Sequence, residues 1–293
     1  MKCIFLLVIP LLVACGVDVP GGAVHDPSWL ADATGSAGDA ADSAGVPLGD
    51  ASTDAATGAA SDAAGASSWY AFWQQTRRLS HNPSPFGDAW QASRTSTVGL
   101  VKVDWQGNDG VAQLHTCAVV NNPIFDSQLT YPPDFINAIG EQVVVLHRQG
   151  QTIAQDAHTE WLGLKAGYAG AMPAVGQGQD SAIVDDDGDG HPGVTVYIDA
   201  PFLGEQALYV VQRSTTNWQG ALGQDGAITA SPEAKVEQVT VGASSSVLVT
   251  AADDKPLPGE VPVQLRWQPV PQDLNCAKLL ENAKQLTQMP WPP

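Results

Sequence analysis

The chain has 293 residues, with 31 Asp and Glu against 13 Lys and Arg and a formal charge of −18. So few cations exclude a phosphate-backbone partner, which needs clustered Lys and Arg, and weigh against a face lying on anionic lipid. Beyond Ala14 no apolar run is long enough to cross a bilayer as a helix.

Residues 1–14 read as a signal peptide. Lys2 supplies a short positive region, and Ile4 to Val13 is an apolar run too short for a mature membrane helix. Leu12-Val13-Ala14-Cys15 then has the bacterial lipobox pattern, which makes Cys15 the residue to be lipidated. An ordinary secretory signal that contains a cysteine is the alternative. Several acyl chains on one Cys would hold the protein stably on a membrane. Gly16 rather than Asp follows, so the outer membrane is the expected location.

The expected compartment is oxidising. Cys3 would leave with the signal and Cys15 would carry lipid, so Cys117 and Cys276 remain as an even pair. A disulfide is the expectation; a metal pair or two free thiols are the alternatives.

Residues 15–68 read as an acidic tether rich in Asp, Ala, Gly and Ser. Asp39-Ala40-Ala41-Asp42-Ser43-Ala44-Gly45 is representative, and Val17 to Ser68 contains no Lys or Arg. Such a segment buries too little apolar surface to offset its ordering entropy, and like charges extend it.

Residues 69–293 read as a single β-domain. Trp69, Phe72, Trp73 and Thr76 fall at helical spacing, which predicts a short amphipathic helix ended by Asn82-Pro83-Ser84-Pro85. From Thr97 the period becomes two: Val101, Val103 and Trp105 alternate with Lys102 and Asp104. Asn108-Asp109-Gly110 predicts a tight hairpin into Val111 to Val120. Pro132-Pro133-Asp134-Phe135 predicts a short helical turn with Ile136 and Ile139 inward. Val143 to His147 and Thr159 to Leu164 are strand-like, and Ala166 to Asp180 reads as a Gly-rich loop. Further strands are predicted at Val194 to Asp199, Ala207 to Arg213, Thr216 to Leu222, Ala227 to Ala230, Val236 to Val241, Ser246 to Ala251 and Val261 to Trp267. Cys276, Leu279, Leu280, Ala283 and Leu286 form one apolar stripe of a closing helix with Asp273 as N-cap. The whole predicts an all-β antiparallel barrel or sandwich of about 9–10 strands, lipocalin-like in outline, with a short N-terminal helix and a C-terminal helix.

The densest chemistry is Asp185-Asp186-Asp187-Gly188-Asp189-Gly190-His191. Carboxylates at Asp185, Asp187 and Asp189 have calcium-loop spacing. Gly190 permits the turn, and the backbone carbonyl of His191 falls at the next ligand position. Asp186, Asp180 and Asp199 are candidates for the remaining ligand. Hard oxygen donors favour calcium over zinc. The twelfth position is Val196 rather than Glu, so this is no EF-hand. The loop resembles the Asp-rich calcium loops of thrombospondin type 3 repeats. A polar connection before a strand is the plainer alternative.

No serine elbow, His-Glu-x-x-His or phosphate loop is present. His158 with Glu160, and His115 beside Cys117, are candidates for catalysis or zinc; surface or satisfied core histidines are the alternative. The reading is a non-enzymatic binding domain for a small apolar ligand or a protein or glycan partner. A structural envelope protein and a hydrolase with a dispersed site are the alternatives.

Along its whole length the chain resembles a set of uncharacterised lipoproteins of myxobacteria and related Gram-negative bacteria. The shared features are the lipobox, the tether, the Cys117 strand, Tyr131-Pro132-Pro133-Asp134-Phe135 and Asp187 to Thr195. Val211-Gln212-Arg213, Gly226-Ala227-Ile228 and Cys276 complete them. The resemblance implies the Cys117–Cys276 pairing and an Asp loop leading into a strand; it implies no activity.

Overall fold

The computed structural model describes residues 67–84, 87–123, 126–200, 203–249, 254–258 and 263–283. The signal, Cys15, the tether up to residue 66 and Leu286 lie outside the described residues. The elements are β1 (Ser67–Ser84), β2 (Gly87–Gln106), β3 (Asp109–Asn121), β4 (Gln128–Thr130), α1 (Pro133–Ile139), β5 (Glu141–Gln149) and β6 (Thr152–Leu162). After a long connection come β7 (Val194–Ala200), β8 (Gly204–Leu222), β9 (Ile228–Ala230), β10 (Glu233–Ala243), β11 (Asp254–Pro256), β12 (Val263–Pro269) and α2 (Cys276–Ala283).

β1, β2, β3, β5, β6, β8, β9 and β12 each pair antiparallel with the next, and β12 returns to β1. The result is a closed eight-stranded up-and-down barrel, as the all-β expectation required. The excursions between barrel strands build a second sheet, β4–β7–β8–β10. β8 belongs to both. Its first half pairs with β7 and its second half with β6, so the neighbour changes between Val210 and Gln212.

The N-terminal helix is corrected. Ser67 to Ser84 is strand throughout, opening two residues before the assigned domain boundary and running past Asn82-Pro83. The physical reason is burial on both faces. Tyr70 and Phe72 point into the barrel core, whereas Ala71 and Trp73 pack under α2 against Leu279. A strand covered on both sides loses its alternation, and its aromatics then fall by chance at helical spacing.

Other boundaries also shift. Ala207 to Arg213 and Thr216 to Leu222 are one strand, β8. Ser246–Leu248 is a 3-10 turn, not strand. The β2–β3 loop is Gly107-Asn108, with Gln106 and Asp109 already paired. α2 is capped by Asn275, whose Oδ1 accepts from the Lys278 N–H, while Asp273 contacts the Lys278 ammonium at 3.5 Å.

The disulfide joins Cys117 to Cys276, with Cα atoms 5.3 Å apart. Cys117 is the extra residue of a bulge, because Thr116 pairs with Gly99 and Ala118 with Val98. The bulge turns the sulfur outward onto α2, and the bond staples that helix over the faces of β2 and β3. Among the described residues no helix is long and apolar enough to cross a membrane.

Candidate functional site

Two places concentrate polar groups. The first is the loop from Asp185 to Gly193. Its neck is tied by a bridge between Asp185 and Gly193, with Asp186 N–H donating to Gly193 O at 3.0 Å and Gly193 N–H to Val184 O at 2.9 Å. The neck sits at the seam where β8 changes neighbour. Gly163 follows β6 and Gly193 precedes β7; both have positive φ, and a Cβ on Gly193 would lie 2.3 Å from Val210 O. Only glycine allows the two strand ends to meet over β8 there. Asp186 locks the seam by accepting from Gly163 N–H at 2.6 Å.

Within the loop, carboxyl oxygens of Asp185, Asp187 and Asp189 all lie within 4.8 Å of one another. Asp185 accepts from the N–H groups of Gly188 and Gly190, at 2.8 and 2.9 Å. Asp189 accepts from His191 N–H at 2.8 Å and from the Thr195 hydroxyl at 2.5 Å. Asp187 accepts from Thr195 N–H at 2.6 Å through one oxygen; the other, Oδ1, is buried without a partner. Burial pushes the Asp187 carboxyl above the usual range, and the charges of Asp189 and Asp185 push the same way. The His191 ring stacks on Tyr209 at 4.3 Å, which pins its backbone beside the triad.

The further candidates are not drawn in. Asp180 caps its own turn by accepting from Ala182 N–H at 2.8 Å. Asp199 stands at the far end of β7, opposite Gln128 and Glu205. At roughly 3.3 Å per residue that is about 13 Å from Thr195. Asp186 is occupied by Gly163 N–H. Val196, at the twelfth position, is fully buried in the second-sheet core.

The second place is the barrel interior. Its floor is apolar, with Trp218 and Trp267 edge-to-face at 5.4 Å above Val101, Val103 and Leu146. The other end is closed by α1 and the second sheet, with Phe135, Val194 and Leu208 buried together. Between these clusters lies a cavity of about 90 Å³. Phe72, Trp218 and Trp267 form its aromatic wall, and Gln155, His158, Glu160 and Gln212 its polar wall. Room of that size holds roughly three waters, or a small molecule of similar bulk.

A bulge places the polar groups. Gln155 pairs with Trp218 but His158 with Thr216, so Asp156 and Ala157 together face one residue. The extra residue shifts the phase of β6, and His158, Glu160 and Leu162 follow Ile153 and Gln155 into the barrel. Gln155 is fully engaged, accepting from the Trp218 indole N–H at 2.7 Å and donating to Thr216 O at 3.4 Å. Gln212 Oε1 is buried without a partner. Glu160 faces Ser214 across the ladder, and its 30% side-chain exposure is to the cavity it lines. Burial pushes its carboxyl up to about 7, with the Ser214 hydroxyl drawing it back. Burial holds the His158 imidazole below its ordinary value. Their nearest atoms are 3.9 Å apart.

His115 is exposed on β3 and Cys117 is spent in the disulfide, so that pair forms no site. The sequence singled out His158 and Glu160 but missed Gln155, Gln212 and Ser214. The signal was there: Gln212, Ser214 and Thr216 are polar at every second position, continuous with Trp218 on one face of a strand.

Fold and site together define an up-and-down antiparallel barrel with a polar interior and an Asp-rich loop at a strand seam. Compared with protein-family models, curated proteins and solved structures, the chain matches none.

Proposed function

We propose that this chain is a lipid-anchored binding domain of the outer membrane, of the myxobacterial lipoprotein type. Its ligand site is the barrel interior, and the Asp185–Asp189 loop is a calcium clip. The observation that carries the reading is the barrel-interior cavity with aromatic lining and a buried, unpartnered acceptor at Gln212 Oε1. A barrel serving only as scaffold gains nothing from leaving such an atom unsatisfied, since an unmet buried polar group costs about 1–3 kcal/mol. A cavity of about 90 Å³ is well below the ~300–1,000 Å³ of drug-sized pockets. The ligand is therefore a small molecule rather than an acyl chain.

The calcium assignment rests on the three converging carboxylates and the unpartnered Asp187 Oδ1. Calcium would bridge Asp185, Asp187 and Asp189, with the His191 carbonyl as a fourth oxygen, and so tie β6 to β7. The anchor assignment rests on the lipobox at Cys15. Native mass spectrometry of the purified chain tests the binding reading: a bound small mass, lost on denaturation, is the expected result. Labelled fatty-acid incorporation, abolished by Cys15→Ala, tests the anchor.

A further inference from the structure

We propose that the barrel cavity binds a small protonated amine, its ammonium held between the Glu160 carboxylate and Gln212 Oε1 and its apolar part against Phe72, Trp218 and Trp267. The inference rests on the binding reading above and names the class of ligand.

Three observations converge on a cationic donor. The cavity-lining residues include one carboxylate and no Lys or Arg, so an ionised Glu160 has no counter-charge among them. A buried carboxylate without a cation is a poor arrangement, and a ligand that brings the cation repairs it. Next, Gln212 is 5% exposed and its Oε1 has no donor. An ammonium carries three N–H donors on one atom and can serve Glu160 and Gln212 together; a carboxylate ligand could serve neither. Finally, the aromatic rings of Phe72, Trp218 and Trp267 line the same cavity. Indole and phenyl faces attract cations through their quadrupole, most strongly where water is excluded.

Chemistry on the same residues sets aside two other ligands. A metal ion would find only His158 and Glu160 of ligating type among the lining residues, 3.9 Å apart, and a stable zinc site needs three or four. An anion would meet Glu160 with no compensating cation. The net charge of −18 adds a general attraction for cations approaching the barrel.

Binding should be linked to pH. Among the described residues lining the cavity, His158 is the only titratable group besides Glu160, and burial favours its neutral form. Lining residues from β1, β2, β3, β5, β8 and β12 bring no other titratable side chain. Amine affinity therefore follows ionisation of Glu160, and should be about tenfold weaker at pH 6 than at pH 8.

The test is a titration of the purified full chain with propylammonium, 1-propanol and propionate, followed by tryptophan fluorescence and calorimetry. Saturable binding of propylammonium is expected, at least tenfold tighter than 1-propanol, with none for propionate. Glu160→Gln should cost at least tenfold in amine affinity while leaving the Tm unchanged or higher. Gln212→Leu should also weaken the amine, and decides the matter if the first variant folds poorly. If 1-propanol binds as tightly as propylammonium, or if both variants keep wild-type amine affinity, the ligand is not a cation and only this inference falls. If none of the three probes binds, the reading of the barrel as a small-molecule site falls with it.

Discussion

At the Asp185–Asp189 loop several carboxylates crowd near the surface, and backbone N–H groups or the Thr195 hydroxyl answer most of their oxygens. Inside the barrel there is one carboxylate, Glu160, set among aromatic and amide groups with the His158 imidazole 3.9 Å away. The loop assembles negative charge where water and its own backbone share the cost. The barrel holds a single carboxyl group where burial disfavours its charge. A cation at the loop would relieve repulsion, whereas a cation in the barrel would supply a missing partner. The first arrangement suits a modest structural clip and the second a selective site, because an uncompensated buried charge discriminates more strongly between ligands.

The largest effect is expected at the cavity floor. Trp218 is 4% exposed, packs on Trp267 and donates to Gln155. Trp218→Ala should cost about 3–5 kcal/mol, through lost burial, a residual void and an orphaned Gln155 oxygen. Urea unfolding measures it, and the calcium response of the loop should survive. A cost under about 1 kcal/mol would mean that the floor is not packed as described.

The Cys117–Cys276 bond serves neither site and is the scaffold control. It closes a separation of 159 residues, for which chain entropy suggests about 4–5 kcal/mol and practice about 2–5. Cys276→Ser should lower stability by that amount in urea, yet leave amine affinity and calcium response within twofold where the protein is folded.

Glu160 separates the sites by pH. Its ordinary value of 4.5 applies to the unfolded chain, and the folded value is about 7. Between those values the folded state holds the extra proton, so this residue makes stability fall as pH rises from about 4.5 to 7 and adds no slope above. The full effect is on the order of 3 kcal/mol. Glu160→Gln should remove that slope, read as the difference between wild-type and variant unfolding free energies across the window. A difference flat with pH would place the carboxyl in contact with bulk water.

How much of this was legible in sequence follows from the same contrast. The Asp loop is a contiguous motif whose spacing carries its geometry, so Asp185, Asp187 and Asp189 could be named before any fold was known. What spacing could not supply was distance across the fold: Asp199 looked near in sequence and lies along a strand that leads away. The strands from β2 through β3 and at β7 were legible because one face is apolar and alternation survives. β1 was not, since Trp73 and Phe72 are buried on opposite faces and the period vanishes. The cavity was hidden for a third reason. The phase of β6 depends on a one-residue bulge at Asp156 and Ala157, and the partners Gln212 and Ser214 come from a strand 50 or more residues away. No local pattern encodes that meeting.

The smallest expected effect is at the loop, and it tests whether the clip is real. Extracellular-type calcium loops have Kd values near 10⁻⁴–10⁻³ M, so millimolar calcium should add about 1 kcal/mol. For a domain of this size that raises the Tm by about 2–4 °C over the chelated protein. Asp187→Asn should abolish the shift, because Asp187 carries the buried, unpartnered oxygen. Asp199→Asn should leave it intact, because that carboxyl points off the far end of β7. Magnesium should substitute poorly, since it demands short octahedral contacts and gives up its waters reluctantly. Equal shifts with both metals would reduce the loop to general charge screening; no shift with calcium would leave the β6–β7 seam fastened by the protein's own bonds, Gly163 N–H to Asp186 and Val184 N–H to Gly163 O among them.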